Sequence, residues 1–129
     1  MVKIEEFMAK DVVSCSADAT IKDIANRMKG NSVGVIVITD QDKKIMGIVS
    51  ERDIINKVVS AGLDPDKTLA EDVMTKDVIT GNPDMTDVEV ASVFSEKGIK
   101  KLPIIENGKV IGIVTQTDLL KILSMKWAL

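Results

Sequence analysis

The stretch Gly47-Ile48-Val49-Ser50-Glu51-Arg52-Asp53 recurs as Gly112-Ile113-Val114-Thr115-Gln116-Thr117-Asp118. An apolar strand ending in Ser/Thr-x-x-Asp predicts a strand that runs directly into a capped helix. Upstream, Met8-Ala9-Lys10-Asp11-Val12 recurs as Met74-Thr75-Lys76-Asp77-Val78. The two recurrences are out of step by one residue. The turn between them absorbs it: Asp40-Gln41-Asp42-Lys43-Lys44 in the first copy, the tighter Glu106-Asn107-Gly108-Lys109 in the second. Asn-Gly is the signal of a two-residue hairpin. Two copies of one unit, 1–66 and 67–129, therefore fill the chain.

Each copy reads β-α-β-β-α. Val12-Val13-Ser14 and Val78-Ile79-Thr80 predict short first strands. Thr20 with Asp23, and Thr86 with Glu89, predict capped helix starts. Ile21, Ile24, Ala25 and Met28 share one helical face; their counterparts Asp87, Val90, Ala91 and Phe94 depart from it once. Two hairpins follow, Val35–Ile38 with Ile45–Val49 and Leu102–Ile105 with Val110–Val114. They are apolar on both faces, which predicts covered sheets. The last helices run from Ser50 and Thr115. A copy of this size buries too little to stand alone. The expected fold class is α+β: two β-α-β-β-α repeats about a pseudo-twofold axis, their three-stranded sheets intertwined and their helices outside.

Composition excludes several functions. The 129 residues are 45% hydrophobic and 29% charged, an ordinary soluble balance, with a net charge of −3. That sign argues against nucleic acid as a partner. There is no His, which removes Ser-His-Asp and Cys-His catalysis and His-ligated metals. Cys15 is the single cysteine, so neither an intrachain disulfide nor a thiolate zinc cluster can form. It reads as a small buried or half-buried residue, since nothing nearby in sequence can activate it. Phe7, Phe94 and Trp127 are the only aromatics, too few for single-strand stacking platforms. The first residues lack the pattern of a signal peptide, and no apolar run approaches membrane-spanning length. The expectation is a cytoplasmic, non-enzymatic protein with no membrane partner.

Ser50-x-x-Asp53 and Thr115-x-x-Asp118 carry the candidate chemistry, and two readings stay open. In one, hydroxyl and carboxylate simply cap helices. In the other, the helix-start amides attract phosphate and the carboxylate accepts a ribose diol. Gly47 and Gly112, nearby on the strand, would then let a ligand approach the backbone.

Both copies resemble cystathionine-β-synthase (CBS) domains, and the chain resembles a stand-alone CBS pair, or Bateman module. The resemblance covers about residues 5–125. It rests on Met-x-x-Asp-Val, Thr80-x-x-Pro83-x-x-Thr86, Gly98-Ile99-Lys100-Lys101-Leu102-Pro103 and the doubled Gly-Ile-Val-[Ser/Thr]-x-x-Asp. It implies a regulatory module that binds adenosine-containing ligands (AMP, ADP, ATP, S-adenosylmethionine) in clefts between the copies. It further implies flat homodimeric discs and a regulated protein acting in trans. No cofactor is implied beyond an adenine nucleotide as ligand.

By the same resemblance, Asp53 and Asp118 match the ribose-binding aspartate, and Ser50 and Thr115 the hydroxyl residue before it. Val13, Ser14, Ile79 and Thr80 match the strand lining the base pocket. Lys100, Lys101 and Arg52 match positions where cations meet phosphate. The copies differ here: Gly34-Val35 stand where the second has Lys100-Lys101, and Thr117 stands where the first has Arg52. The alternative is a ligand-free interaction scaffold. Val88 and Val93 map onto Lys22 and Arg27, so helix 86–97 carries a second apolar face. It is expected to meet a second chain, or else to pack under Trp127 and Leu129.

Overall fold

The computed structural model describes residues 1–127; Leu129 and the Trp127 side chain, offered above as cover for Val88 and Val93, lie outside the described residues. Thr20 and Thr86 open the two long helices, α1 (Ile21–Asn31) and α4 (Asp87–Lys97), as their spacing predicts. Each threonine oxygen accepts the amide proton of the third helical residue, Asp23 or Glu89, at 3.2 Å. Both helices stop at a left-handed residue, Ser32 at φ 54° and Gly98 at φ 65°.

Val13–Val78 forms one compact unit. β1 (Ser14–Cys15) runs parallel to β2 (Val35–Thr39), which runs antiparallel to β3 (Ile45–Ser50), in the order β1-β2-β3. Val35, Ile36, Val37 and Ile38 are all buried, as a strand covered on both faces requires. Ile21, Ile24 and Met28 of α1 reach the core, whereas Ala25 of the predicted face is exposed. After β3 the chain makes α2 (Glu51–Asp53) and then a π-helix, Ile54–Val59, where the sequence predicts one continuous α-helix. α3 (Ala70–Val73), absent from the sequence reading, closes the core with Ala70 and Val73.

Residues 1–12 and those from 79 onward form the other unit. A 3-10 turn at Ile4–Glu6 is followed, after the partner unit's span, by α4, β4 (Lys101–Glu106), β5 (Lys109–Thr115) and α5 (Gln116–Trp127). β4 and β5 pair antiparallel through Asn107 and Gly108, both at positive φ. Ile4, Val90, Phe94, Leu102, Ile104, Val114 and Ile122 make the core.

The third strand predicted at Val78–Thr80 does not form; a single parallel bridge, Gly81 with Ile104, stands in its place. Proline explains the loss. In the first copy the Val37 amide donates to the Val13 carbonyl at 3.2 Å. The repeat puts Pro103 at the position of Val37, and proline has no amide proton to give the Ile79 carbonyl.

The compact units divide the chain at different points from the sequence copies. Ile4 donates its amide to Met85 and Ala70 donates its own to Ala19, each at 2.8 Å. Lys3 bridges Thr86 as Leu69 bridges Thr20. The segment leading up to each Met-x-x-Asp-Val motif thus packs on the helix start of the other copy.

Candidate functional site

Ser50 ends β3 with extended backbone and caps α2. Its oxygen accepts the Asp53 amide at 3.2 Å, while Asp53 Oδ2 accepts the Ser50 amide at 2.9 Å and the Ser50 hydroxyl at 3.1 Å. The second copy repeats the arrangement. Thr115 Oγ1 accepts the Asp118 amide at 3.2 Å, and Asp118 Oδ2 accepts the Thr115 amide at 2.9 Å. Capping is therefore built into both motifs, and each spends one carboxylate oxygen on it.

The register gathers the other candidates around these two helix starts. Ser50 pairs with Val35, and Glu51 donates its amide to the Gly34 carbonyl at 3.0 Å. Likewise Thr115 pairs with Lys101, and Gln116 donates to the Lys100 carbonyl at 3.0 Å. Lys100 and Lys101 therefore lie beside the Thr115–Asp118 opening; Gly34 and Val35 hold those places beside Ser50–Asp53. Ser14 pairs with Val37, two residues along β2 from Val35, or about 7 Å. The pleat puts Ser14 and Ser50 on the same face of the sheet. In the other unit Ile79 and Thr80 precede the Gly81 bridge to β4. Arg52 is exposed, one residue before Asp53.

The glycines do not serve as ligand approaches. A Cβ on Gly47 would lie 2.7 Å from the Thr75 carbonyl oxygen and 2.9 Å from Met74 Cγ. One on Gly112 would meet Met8 Cγ at 2.8 Å and the Ala9 carbonyl oxygen at 3.1 Å. The chain's own methionines fill the space that sequence reasoning left for a ligand. This also gives Met-x-x-Asp-Val its purpose: each Met seats on the glycine of the other copy's Gly-Ile-Val.

Two groups that sequence reasoning missed act on candidate residues of the first copy, Lys57 on Asp53 and Arg27 on Ser14. Lys57 Nζ contacts Asp53 Oδ1 at 3.1 Å and donates to the Val73 carbonyl at 2.8 Å. Arg27 donates to the Ser14 carbonyl at 3.0 Å. The i, i+4 spacing of Asp53 and Lys57 was the available signal for the first of these. Burial pushes the Cys15 thiol up, against the opposing pull of Arg27; this fits a packed residue and not a nucleophile. Among the described residues no cluster of His, Cys, Asp or Glu could hold a metal. No described helix is long and apolar enough to cross a membrane.

The CBS domain family model matches residues 4–60 and 70–125. The chain belongs to the CBS domain family. It is 40% identical over 122 residues, 94% of its length, to an uncharacterized protein of Methanopyrus kandleri, of which it spans 62%. A crystal structure of an uncharacterized conserved protein from Pyrococcus horikoshii is 30% identical, with a TM-score of 0.87 over 95% of this chain and 92% of that one. The CBS domain pair of protein MJ0100, solved with 5′-methylthioadenosine and S-adenosyl-L-methionine, shares the fold: its TM-score is 0.88 at 24% identity, over 98% of each chain. The mixed α+β fold expected from the repeats is thus that of a CBS pair, with two CBS domains in tandem.

Proposed function

We propose that this CBS pair is a regulatory module that binds adenosine-containing ligands at its two Ser/Thr-x-x-Asp helix starts. It reports their occupancy to a partner protein and performs no chemistry of its own. The observation that carries the reading is at Asp118. Its Oδ2 is spent on the cap, and among the described residues no hydrogen bond or ion pair involves Oδ1. A half-buried aspartate, with Lys100 and Lys101 at the start of the adjoining strand, suits a ribose diol with a phosphate attached. Ile79 and Thr80 would meet the base; in the first copy Val13, Ser14, Ser50, Arg52 and Asp53 have the corresponding roles. Binding adenosine compounds is also what the MJ0100 pair, of the same fold, does in its crystal. A ligand that prefers one arrangement of the pair would bias a protein bound in trans. A homodimer is part of the reading.

Isothermal titration with AMP, ATP and S-adenosylmethionine tests it. Asp118→Asn should weaken binding by at least several-fold, since a charged hydrogen bond contributes about 1.5–3 kcal/mol. The reciprocal caps favour a second reading, a ligand-free scaffold in which both aspartates only start helices. Under that reading none of the three compounds binds, and Asp118→Asn lowers the melting temperature alone.

A further inference from the structure

We infer that the two Ser/Thr-x-x-Asp sites are unequal: the Asp118 site is open to a nucleoside, and the Asp53 site is held shut by Lys57 and Arg27. The inference rests on the nucleoside reading above and deepens it.

Three differences between the copies, all in the same neighbourhood, point one way. First, Lys57 bonds Asp53 Oδ1, so both carboxylate oxygens of Asp53 are already engaged. The residue four after Asp118 is Ile122, buried in the apolar core to which Ile4 and Leu102 also belong. It leaves Asp118 Oδ1 without a partner among the described residues. Second, Arg27 occupies the Ser14 carbonyl. Its counterpart is Val93, which packs against the apolar core and cannot donate. Third, the Val13 carbonyl is taken by the Val37 amide. The counterpart of Val37 is Pro103, and among the described residues no hydrogen bond reaches the Ile79 carbonyl. Ile79 is 37% exposed.

Acceptors that a nucleoside could use are therefore satisfied internally in one copy and open in the other. A diol arriving at Asp53 must displace an ammonium that also ties α3 to the helix start through Val73. The same diol arriving at Asp118 meets no such ion pair among the described residues. The widened turn at Ile54–Val59, with Lys57 in it, belongs to the closed copy alone. The two sites should fill in order, Asp118 first.

Titration of the full chain with adenosine and with AMP tests this. The tighter association should disappear in Asp118→Asn, and the weaker one, if wild type shows it, in Asp53→Asn. Lys57→Ile with Arg27→Val installs the residue types of the other copy. It should raise the Asp53-dependent association constant about tenfold relative to the Asp118-dependent one, the lower end for one charged hydrogen bond. Lys57→Met, which keeps the apolar stem, should shift the ratio the same way if the double variant fails to fold. Lys57→Arg retains a cation and should keep the wild-type ratio, which a purely structural role for Lys57 would not require. An unchanged ratio in a folded Lys57→Ile/Arg27→Val or Lys57→Met variant overturns the inference. So does a tighter site lost in Asp53→Asn. Wild-type chain that takes up neither ligand overturns the nucleoside reading and this inference together; binding with an unchanged ratio overturns the inference alone.

Discussion

Lys126, near the end of α5, donates to the carboxylate of Asp87 at the start of α4. Asp87 is only 5% exposed, and it stands where the helical face of the other copy carries Ile21. It also accepts the amides of Val2 at 3.1 Å and Val88 at 3.0 Å. One carboxylate thus ties the first residues of the chain to the last helix.

The Lys126 hydrogen bond, then the two amides, hold the Asp87 carboxyl below the ordinary aspartate range against the opposing effect of burial. A carboxyl depressed on folding stabilises above its unfolded value and stops doing so as pH falls through its folded one. Asp87 should therefore contribute fully above about pH 4 and lose its contribution below that. Asp87→Ala should cost up to ~3 kcal/mol at pH 7, because it strands two amides and an ammonium. The difference from wild type should shrink in urea melts run at successively lower pH. A difference that is constant with pH would contradict the assignment.

Gly47→Ala and Gly112→Ala should differ in cost. At Gly47 the added methyl meets the backbone carbonyl of Thr75, which is held in a bridge with Ile48. At Gly112 the nearest atoms belong to the flexible side chain of Met8. Overpacking costs about 1–3 kcal/mol, and Gly47→Ala should fall toward the upper end with Gly112→Ala below it. Met8→Ala should partly rescue Gly112→Ala, and Met74→Ala should rescue Gly47→Ala less. Thermal melts of the four variants and the two pairs check the order.

Phosphate contacts should separate AMP from adenosine. Lys100→Ala and Arg52→Ala should each weaken AMP several-fold while leaving adenosine nearly unaffected, since only AMP offers a charge to them. If the nucleoside sites fill in order, Lys100→Ala acts on the first event and Arg52→Ala on the second. Equal losses for both ligands would assign these side chains to pocket shape.

Helix α4 gives the assembly prediction. Val88 is 53% exposed, whereas Val93 packs against the apolar core and is not surplus surface. Val88→Lys, which copies Lys22 of the first repeat, should leave the fold intact and weaken a homodimer. Light scattering across a dilution series should show dissociation at higher concentration than for wild type. An unaltered dimer would remove α4 from the interface.

What the sequence made legible was local. Thr20 and Thr86 declare their caps within four residues, and Asn107-Gly108 declares its turn within two. The doubled Ser/Thr-x-x-Asp announced both helix starts, while Lys100 and Lys101 were singled out by the family resemblance and it is the register of β4 on β5 that brings them beside one of those starts. What it hid was nonlocal. Pro103 suppresses a strand more than twenty residues upstream, by withholding a proton that only the folded sheet would ask for. Gly47 and Gly112 read as gaps because nothing in their own neighbourhood names Met74 and Met8 as occupants. Asp87 read as a lapse in an apolar face, since its partners Val2 and Lys126 lie at opposite ends of the chain.

The crossing of the arms bears on how such a chain arose. Each arm, 1–12 or 67–78, packs with the copy to which it does not belong by repeat, and 1–12 does so across the whole span of the other unit. A lone ancestral repeat, produced as its own polypeptide, would have had no second arm to receive. Cut with its arm in front, as 1–66 is, it would complete its glycine strand by lending that arm to an identical molecule and borrowing one back, as a domain-swapped dimer does. Fusing two such genes converts that exchange into an intramolecular one, free of dilution. It also frees the halves to diverge, which identical subunits cannot do: a lysine at 57 opposite an isoleucine at 122 is open only to a duplicated gene.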